Sequence, residues 1–205
     1  MSPEEFRVIA DVSRETLVRF ESYAGLLAKW QRKINLISNS TLDDIWGRHF
    51  WDSAQLGPLA PSGARIWLDL GSGAGFPGLV LSIMGAPEVH LVESDSRKAA
   101  FLREAARISD SAARVHAVRA ESLAPFRADV ITSRALASVN VVLKLAAPFC
   151  SADTTILLLK SDTVESELTE ARRYWKIAHV EILPSRSNPS GRILRLRGIR
   201  HEATG

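Results

Sequence analysis

A glycine-rich segment between two apolar runs constrains the fold of this chain more than any other part of the sequence. Residues 69–78 read Asp-Leu-Gly-Ser-Gly-Ala-Gly-Phe-Pro-Gly, after the apolar run 66–68 and before the apolar run 79–84. The first run predicts a buried strand and the second predicts a helix. Glycines let the backbone approach a ligand closely, and a helix start offers free N–H groups. The segment therefore predicts an α/β unit with a pocket for one end of a nucleotide-like ligand.

Three ligand chemistries use glycine loops of this kind, and the spacing separates them. A phosphate-binding P-loop needs a lysine after its last glycine, which this segment lacks. The dinucleotide fingerprint places its third glycine where Phe76 stands. The remaining pattern has Gly71, Gly73 and Gly75, with Asp69 two positions before the first glycine, and is typical of S-adenosyl-L-methionine (SAM) methyltransferases. The Asp69 carboxylate suits the sulfonium and ammonium charges of SAM, and a plain glycine-rich turn of any α/β domain is the alternative.

A second acidic residue favours the same ligand. Glu93 ends the next predicted strand, 22 positions after Gly71. A carboxylate at this point of a nucleoside-binding βαβ unit accepts hydrogen bonds from ribose hydroxyls. We therefore predict that Glu93 binds the ribose of SAM, the alternative being a solvated surface residue.

Length and composition exclude several classes of protein. The 205 residues suit one domain with a small extension, and 46% of them are hydrophobic. No apolar run approaches the roughly 20 residues of a membrane span, and the N-terminus lacks the pattern of a signal peptide. A single cysteine, Cys150, and the lack of Cys/His clusters predict neither an internal disulfide nor a metal site. We expect a cytoplasmic protein whose net charge of +3 permits an anionic partner.

The order of predicted elements divides the chain into three regions. Residues 1–60 are predicted to be a helical extension packed on the core, because apolar residues recur at three- and four-residue steps up to Trp30 and Thr41 resembles a capped helix start. Residues 61–200 are predicted to be the SAM-binding core, and residues 201–205 a disordered tail. The predicted strands of the core are 65–70, 89–93, 114–118, 128–133, 155–160, 179–183 and 192–197, with helices near 97–105, 139–147 and 164–175.

Alternating strands and helices predict an α/β fold with a parallel sheet and helices on both faces. The last two strands flank a polar turn, as in an antiparallel hairpin. This is the organisation of class I SAM-dependent methyltransferases: a Rossmann-like, seven-stranded, mostly parallel sheet with a C-terminal antiparallel hairpin. Ligands of such sheets lie at the carboxyl ends of the strands.

The residues that follow these strands are therefore the candidates for ligand contact. The backbone of Ala120 and the carboxylate of Glu121 could hold the adenine of SAM, or could belong to an ordinary helix start. Arg134 could bind a phosphate, a carbonyl oxygen or the carboxylate of SAM, or could be an unengaged surface residue. Lys160 and Arg192 are further candidates for substrate positioning. Arg195 and Arg197 alternate along the last predicted strand. They could form a basic rim for a folded RNA together with Arg134, Lys160 and Arg192.

Several of these motifs resemble those of the glucose-inhibited division protein B family of small-subunit ribosomal RNA methyltransferases. The resemblance covers about residues 27–197. The matching segments are Trp-Gln-Arg-Lys-Ile-Asn-Leu at 30–36, His-Phe-Trp-Asp-Ser at 49–53, Leu-Asp-Leu-Gly-Ser-Gly-Ala-Gly-Phe-Pro-Gly at 68–78, Val-Glu-Ser at 92–94 with Lys98 and Phe-Leu at 101–102, and Thr-Ser-Arg-Ala at 132–135. One departure is Ser161, which follows Lys160 where the family usually has glycine.

The resemblance implies a specific reaction, the SAM-dependent methylation of N7 of one guanine in 16S rRNA near the decoding centre. It implies that Gly71, Phe76, Ala120, Glu121 and Arg134 line the SAM site and that Glu93 takes the ribose. The roles of His49 and Asp52 stay open between a structural hydrogen bond and substrate contact.

The implied chemistry needs no general base, because N7 carries an in-plane lone pair and no proton. Catalysis would come from holding N7 in line with the methyl group, with water excluded. The expected partner is 16S rRNA or a small ribosomal subunit particle, bound by a monomer. Methylation of another RNA, a protein or a small molecule is the alternative, and a non-catalytic SAM- or RNA-binding module is a third possibility.

Overall fold

The computed structural model of the chain describes residues 1–202 and shows a seven-stranded mixed sheet with helices on both faces. The strands are β1 Ile66–Leu70, β2 Glu88–Val92, β3 Arg114–His116, β4 Val130–Arg134, β5 Thr155–Lys160, β6 Trp175–Pro184 and β7 Arg192–His201. Their order is β3-β2-β1-β4-β5-β7-β6. The first five strands are mutually parallel, whereas β7 pairs antiparallel with both β5 and β6. The predicted α/β class with a closing hairpin is confirmed.

Two predicted boundaries in the C-terminal part are wrong. The helix predicted over 164–175 ends at Ala171, and Trp175 begins β6. Trp175 pairs with His201 across the hairpin, so His201 is the last residue of β7 and not part of a disordered tail. Glu202 also donates its backbone N–H to the carbonyl of Tyr174 at 2.8 Å. Both strands are longer than predicted because their mutual pairing, which the local pattern does not encode, extends them. Residues 203–205 of the predicted tail lie outside the described residues.

Within residues 1–202 the structure has seven α-helices. They are α1 Pro3–Ile9, α2 Arg14–Gln31, α3 Asp52–Ala54, α4 Gly78–Ile83, α5 Ser96–Ile108, α6 Val139–Ala146 and α7 Val164–Ala171. Ser2 and Glu5 form a capping box at the start of α1, and Ser13 caps α2. Asp11, with a φ of +50°, lies between α1 and α2.

The helix predicted to begin at Thr41 is not regular. The segment consists of a 3-10 turn over Asn39–Asp44, a π-helical turn over Trp46–Trp51, and the short α3. Gly47 donates its backbone N–H to Asp44 Oδ1 at 3.0 Å, where a Cβ on Gly47 would lie 2.5 Å from the other carboxylate oxygen. The extra residue of the π-helical turn accompanies burial of three successive residues, His49, Phe50 and Trp51.

Two apolar clusters cover the two faces of the sheet. One cluster contains residues of α6, α7 and β7, and the other contains residues of α4 and α5. The second cluster also contains the side chains of the N-terminal region, among them the fully buried rings of Phe6, Phe20, Tyr23 and Phe50. Residues of the N-terminal 60 thus share one core with the sheet.

Within residues 1–202, no helix combines the length and apolar character needed to cross a membrane.

Candidate functional site

A cavity of about 420 Å³ opens at the carboxyl ends of β1, β2 and β4. Parallel strands bring their carboxyl ends to one edge of the sheet, and the loops that follow them line this cavity. It brings together most of the residues singled out in the sequence. They are Gly71, Gly73, Phe76, Glu93, Ala120, Glu121 and Arg134.

The floor of the cavity is the glycine loop. Gly71 and Gly73 have φ angles of +69° and +56°, a region that side chains other than glycine seldom adopt. A Cβ on Gly71 would lie 2.6 Å from Leu136 Cδ1, so only a glycine lets the loop after β4 approach here. The carbonyl of Ser72 accepts the N–H of Gly75 at 2.7 Å, which keeps the turn closed.

Glu93 closes the loop from the end of β2. Its Oε2 accepts the N–H of Gly73 at 2.9 Å, and its Oε1 accepts the N–H of Asp95 at 2.8 Å. The residue is only 8% exposed, and the exposed part faces the cavity that it lines. Each carboxylate oxygen keeps a second lone pair, so the two oxygens can accept from a pair of neighbouring hydroxyls.

The sequence predicts that Asp69 contacts SAM. In the structure the residue lies beneath the cavity and does not line it. The residue is 1% exposed, and its Oδ1 accepts a hydrogen bond from Thr132 Oγ1 at 2.7 Å. A Cβ on Gly78, the first residue of α4, would lie 2.5 Å from Asp69 Cβ. Burial raises the pKa of Asp69 to about 6, in spite of the hydrogen bond from Thr132. The geometry makes Asp69 a support that joins β1, β4 and the start of α4.

Gly75 also lies away from the cavity. Its φ is +95°, and a Cβ at this position would lie 2.5 Å from Tyr23 Oη and 2.9 Å from Leu79 Cβ. Tyr23, on α2, donates its hydroxyl to the carbonyl of Ala74. Gly75 therefore serves the packing of the N-terminal region against the loop rather than contact with a ligand in the cavity.

Ala120 and Glu121 form one side wall of the cavity. They lie in a 3-10 turn, Ala120–Ser122, after β3, with Ala120 half-buried and the Glu121 side chain exposed. Leu145 lines the same wall from α6. The wall thus combines an apolar surface with one carboxylate, as the recognition of a flat ring with an exocyclic amino group requires.

Arg134 is built into the opposite wall. Its side chain is 18% exposed, and its guanidinium carbon lies 4.7 Å from the centre of the Phe76 ring. Its Nη1 lies 3.7 Å from Asp52 Oδ2, and the same atom donates to the carbonyl of Arg48 at 3.3 Å. Burial lowers the pKa of Arg134, although Asp52 acts to raise it. The alternative that Arg134 is an unengaged surface residue is excluded by these contacts.

A second cavity, of about 390 Å³, meets the first one at Arg134. The two share the residues Arg134, Ala135 and Leu136 of the loop after β4. Lys160 and Arg192 line the second cavity and not the first. Ala135 has a φ of +51°, a strained conformation for a residue with a Cβ. This loop therefore forms a thin partition between the two cavities.

The cations of the second cavity already have partners. Lys160 Nζ lies 2.7 Å from Glu167 Oε2 and donates to the carbonyl of Ala137 at 2.6 Å. The nearby ammonium of Lys160 lowers the pKa of Glu167, against the opposing effect of burial. Arg192 donates to the carbonyls of Pro189 and Gly191 at 3.0 and 2.8 Å. Ser161 hydrogen-bonds the Thr163 hydroxyl, 2.9 Å away, and does not displace Lys160 from the cavity wall.

The basic rim predicted from five cations is smaller in the structure. Arg195 forms an ion pair with Glu181 at 3.2 Å, and Arg197 lies further along β7, away from Arg192. Of the five, Arg134, Lys160 and Arg192 border the paired cavities, and the other two do not. The alternation that places Arg195 and Arg197 on one face of a strand does not reveal how far along the strand the site extends.

His49 and Asp52, whose roles stayed open in the sequence, both contact this site. The His49 ring lies 4.9 Å from the ring of Phe76, and its Nε2 is 2.8 Å from Thr41 Oγ1. Burial, and then the charge of Arg134, lower the pKa of His49 to about 3, so the ring is neutral near pH 7. Asp52 accepts hydrogen bonds from Gln55 at 3.1 Å and from Ser185 at 3.2 Å. Asp52 thus joins the N-terminal region, the β6–β7 turn and Arg134.

The structure also adds residues to the site that were not site candidates from the sequence. Leu36, Ser94 and Lys98, which belong to the family-matching segments, line the first cavity together with Arg119 and Leu136. No spacing rule assigns them a role there, since their approach to the cavity depends on tertiary packing. Residues 1–202 contain no group of three or more His, Cys, Asp or Glu side chains arranged to hold a metal ion.

Solved structures with the same architecture define the class of fold. Magnesium protoporphyrin IX methyltransferase from Synechocystis PCC 6803, solved with bound SAM, superposes with a TM-score of 0.57 at 13% identity, over 91% of this chain and 98% of that one. M. jannaschii TYW2 in complex with AdoMet gives a TM-score of 0.60 at 11% identity, over 83% and 80% of the two chains. The fold is that of the class I SAM-dependent methyltransferases.

Sequence comparison identifies the family within this class. The family model described as rRNA small subunit methyltransferase G matches residues 16–194. The protein of that name from Rhodospirillum rubrum is 54% identical over 196 residues, 96% of this chain and 97% of that protein. The one from Rhodospirillum centenum is 54% identical over 195 residues, 95% of this chain and 90% of that protein. The chain belongs to the rRNA small subunit methyltransferase G family.

Proposed function

We propose that the chain methylates N7 of one guanine of 16S rRNA, near the decoding centre, with SAM as the methyl donor. The observation that carries this proposal is the meeting of two cavities at Arg134, one lined by the glycine loop and the other by Lys160 and Arg192. The family and its relatives support ribosomal RNA of the small subunit as the substrate. We further propose that the enzyme acts as a cytoplasmic monomer on 16S rRNA or a small ribosomal subunit particle.

The residues of the first cavity fit SAM. Gly71 allows a ligand to lie against the loop backbone, because a Cβ there would already clash with Leu136. Glu93 offers two carboxylate oxygens to the ribose hydroxyls, and Glu121 offers one carboxylate to the adenine amino group. The volume of about 420 Å³ lies within the range of cavities that hold ligands of this size. When bound, SAM supplies a methyl group made electrophilic by the sulfonium charge.

The groups at the junction of the cavities suit a reaction without a general base. Arg134 is a cation, and Asp52 accepts hydrogen bonds from Gln55 and two serines. The imidazole of His49 packs against Phe76 here, and its pKa of about 3 makes it a poor proton acceptor. N7 of guanine carries no proton, so its alkylation releases none at that atom. The chain contributes by positioning the guanine base, and the loop after β4, which carries Leu136, keeps water away from the reacting atoms.

Arg134 lines both cavities, and we propose that it positions the reacting groups where the cavities meet. Its guanidinium is held over Phe76 and next to Asp52, so its remaining N–H groups have a defined direction. Such a group can bind a guanine carbonyl oxygen, an RNA phosphate or the carboxylate of SAM. In A-form RNA the deep groove hides N7, so we expect the target guanine in an irregular loop or turned out of its stack.

The test is transfer of a labelled methyl group from SAM to small-subunit RNA that lacks the modification. We expect the wild type to label one guanine at N7, mapped by mass spectrometry, in free 16S rRNA or in small-subunit particles. Arg134→Ala should lower the rate at least about 100-fold because positioning is lost, whereas Arg103→Ala, at an exposed arginine on α5, should not. Label on another atom or another substrate would contradict the proposal, as would full activity of Arg134→Ala.

A further inference from the structure

A large cleft lies at the end of the sheet opposite to the paired cavities. Its volume is about 1210 Å³, nearly three times that of the first cavity. It is formed by the amino end of β5, the open end of the β6–β7 hairpin and the segment around Cys150. Its basic side chains are Arg127, Lys176, His179, Arg197, Arg200 and His201. We refer to this region as the basic cleft.

The lining of the basic cleft carries an excess of positive charge. Among the described residues, four arginines or lysines line it, against one carboxylate, that of Asp153. The lining therefore has a formal charge of +3, equal to the net charge of the whole chain of 205 residues. An excess of positive charge in the lining favours the binding of an anion there.

The hairpin at this cleft places like charges directly opposite each other. Lys176 pairs with Arg200 across β6 and β7. Cations at opposed positions of an antiparallel pair are unfavourable in the free protein. Within residues 1–202, Lys176 has an ion pair with Glu202 at 3.2 Å, whereas Arg197 and Arg200 have none. The cross-strand repulsion would be relieved by an anion bound between the strands.

The backbone keeps these cations close together. Gly198, between Arg197 and Arg200, has a φ of +64°, and a Cβ on it would lie 2.8 Å from Ala178 Cβ on the facing strand. Arg127 is held on the opposite wall, where its Nη1 donates to the carbonyl of Cys150. Cations thus face the cleft from two separate segments of the chain.

We propose that the basic cleft binds the phosphate backbone of a second segment of the same small-subunit RNA. The inference rests on the proposed function. Register places Lys160 opposite Arg192 at the site, and Thr155 opposite Arg197 at the cleft. These five steps along β7 correspond to roughly 17 Å, a distance that a folded RNA spans with ease. A cleft that is wide, open and lined by cations on different segments suits a chain of phosphates better than one small anion.

The test measures RNA affinity as a function of salt for the double variant Lys176→Gln/Arg200→Gln. Both side chains are exposed, so the fold should persist, and removal of their repulsion should leave Tm unchanged or raise it. We expect Kd for protein-free 16S rRNA to rise about tenfold at 0.1 M salt. The slope of log K against log salt should flatten by roughly 0.7–0.9 for each phosphate that the variant no longer neutralises. KM for RNA should rise while kcat and the Kd of SAM stay unchanged.

The matched control is Arg14→Gln/Arg103→Gln, which removes two exposed arginines elsewhere on the molecule. It has the same net charge as the test variant and should keep the wild-type slope. Wild-type affinity and slope in the test variant would overturn the proposal, as would equal losses in both variants. A loss seen with small-subunit particles but not with free RNA would assign the cleft to a ribosomal protein instead. A wild type that methylates no small-subunit RNA would refute the proposed function itself.

Discussion

Residues of one motif have different physical roles in this protein. Gly71 and Gly73 line the first cavity, whereas Asp69 contacts Thr132 of β4 and Gly75 faces Tyr23 of α2. The difference follows from burial, since Asp69 is 1% exposed and hydrogen-bonded to Thr132. A carboxylate two positions before a glycine loop can therefore be required for the site without touching a ligand.

His49 provides a prediction on pH and stability. The pKa of this buried ring is about 3 in the folded protein, compared with 6.5 for an ordinary histidine. Between these two values the unfolded chain binds one proton more, so the contribution of His49 to stability falls as pH falls below 6.5. The loss should approach about 1.4 kcal/mol per pH unit. Asp69, whose pKa is raised to about 6, acts in the opposite direction between its ordinary value of 3.8 and 6.

Comparison with His49→Gln isolates the histidine, because Asp69 is present in both proteins. The free energy of unfolding of each protein is measured by urea denaturation at several values between pH 5 and pH 7. The wild type should lose stability relative to the variant as pH falls. Parallel pH profiles would show that His49 takes up a proton in the folded state.

At the scale of elements, the irregular turns matter more than the regular helices. The π-helical turn over Trp46–Trp51 places His49 against Phe76, and α3 directly after it carries Asp52. A regular helix, as the sequence pattern predicts there, would rotate these side chains relative to each other. On the glycine loop, Gly75 leaves the space in which Tyr23 of α2 packs.

Gly75→Ala tests the contact between α2 and the glycine loop. The new Cβ would lie 2.5 Å from Tyr23 Oη, and the alanine would have to adopt a φ of +95°. The cost of backbone strain therefore adds to the cost of overpacking. We expect a loss of about 3 kcal/mol or more in the free energy of unfolding. Gly63→Ala is the control, since Gly63 has a φ of +79° but no atom within 4 Å of the added Cβ. It should cost about 1–2 kcal/mol, from strain alone. Equal losses in the two variants would argue against the packing role of Gly75.

At the scale of the whole molecule, the N-terminal region and the sheet share one apolar cluster. Phe50 packs against Phe76 of the glycine loop, with ring centres 5.7 Å apart, and Trp30 packs against Phe101 of α5 at the same distance. Arg19 of α2 also donates to the carbonyl of Ser109 at 2.6 Å. The division into a 1–60 extension and a 61–200 core, made from the sequence, remains a prediction about folding units.

Thermal unfolding should accordingly be a single transition. Three of the five tryptophans, Trp30, Trp46 and Trp51, lie in the first 60 residues, so fluorescence reports mainly on that region. Circular dichroism reports on the helices of the entire chain. The two midpoints should agree within about 1–2 °C because the shared core couples both regions. Loss of the fluorescence signal well before the dichroism signal would instead indicate an independently unfolding extension.

The fold class, the glycine loop, the family and seven residues that line the first cavity could all be predicted from the sequence. These properties follow from local patterns: apolar periodicity, glycine spacing and the residue that ends each strand. The supporting positions of Asp69 and Gly75, the pairing of Lys160 with Glu167 and the grouping of Arg127 with the hairpin cations at the basic cleft became visible only in the tertiary structure. The physical reason is that burial, ion pairing and cross-strand register depend on residues distant in sequence, which no local pattern records.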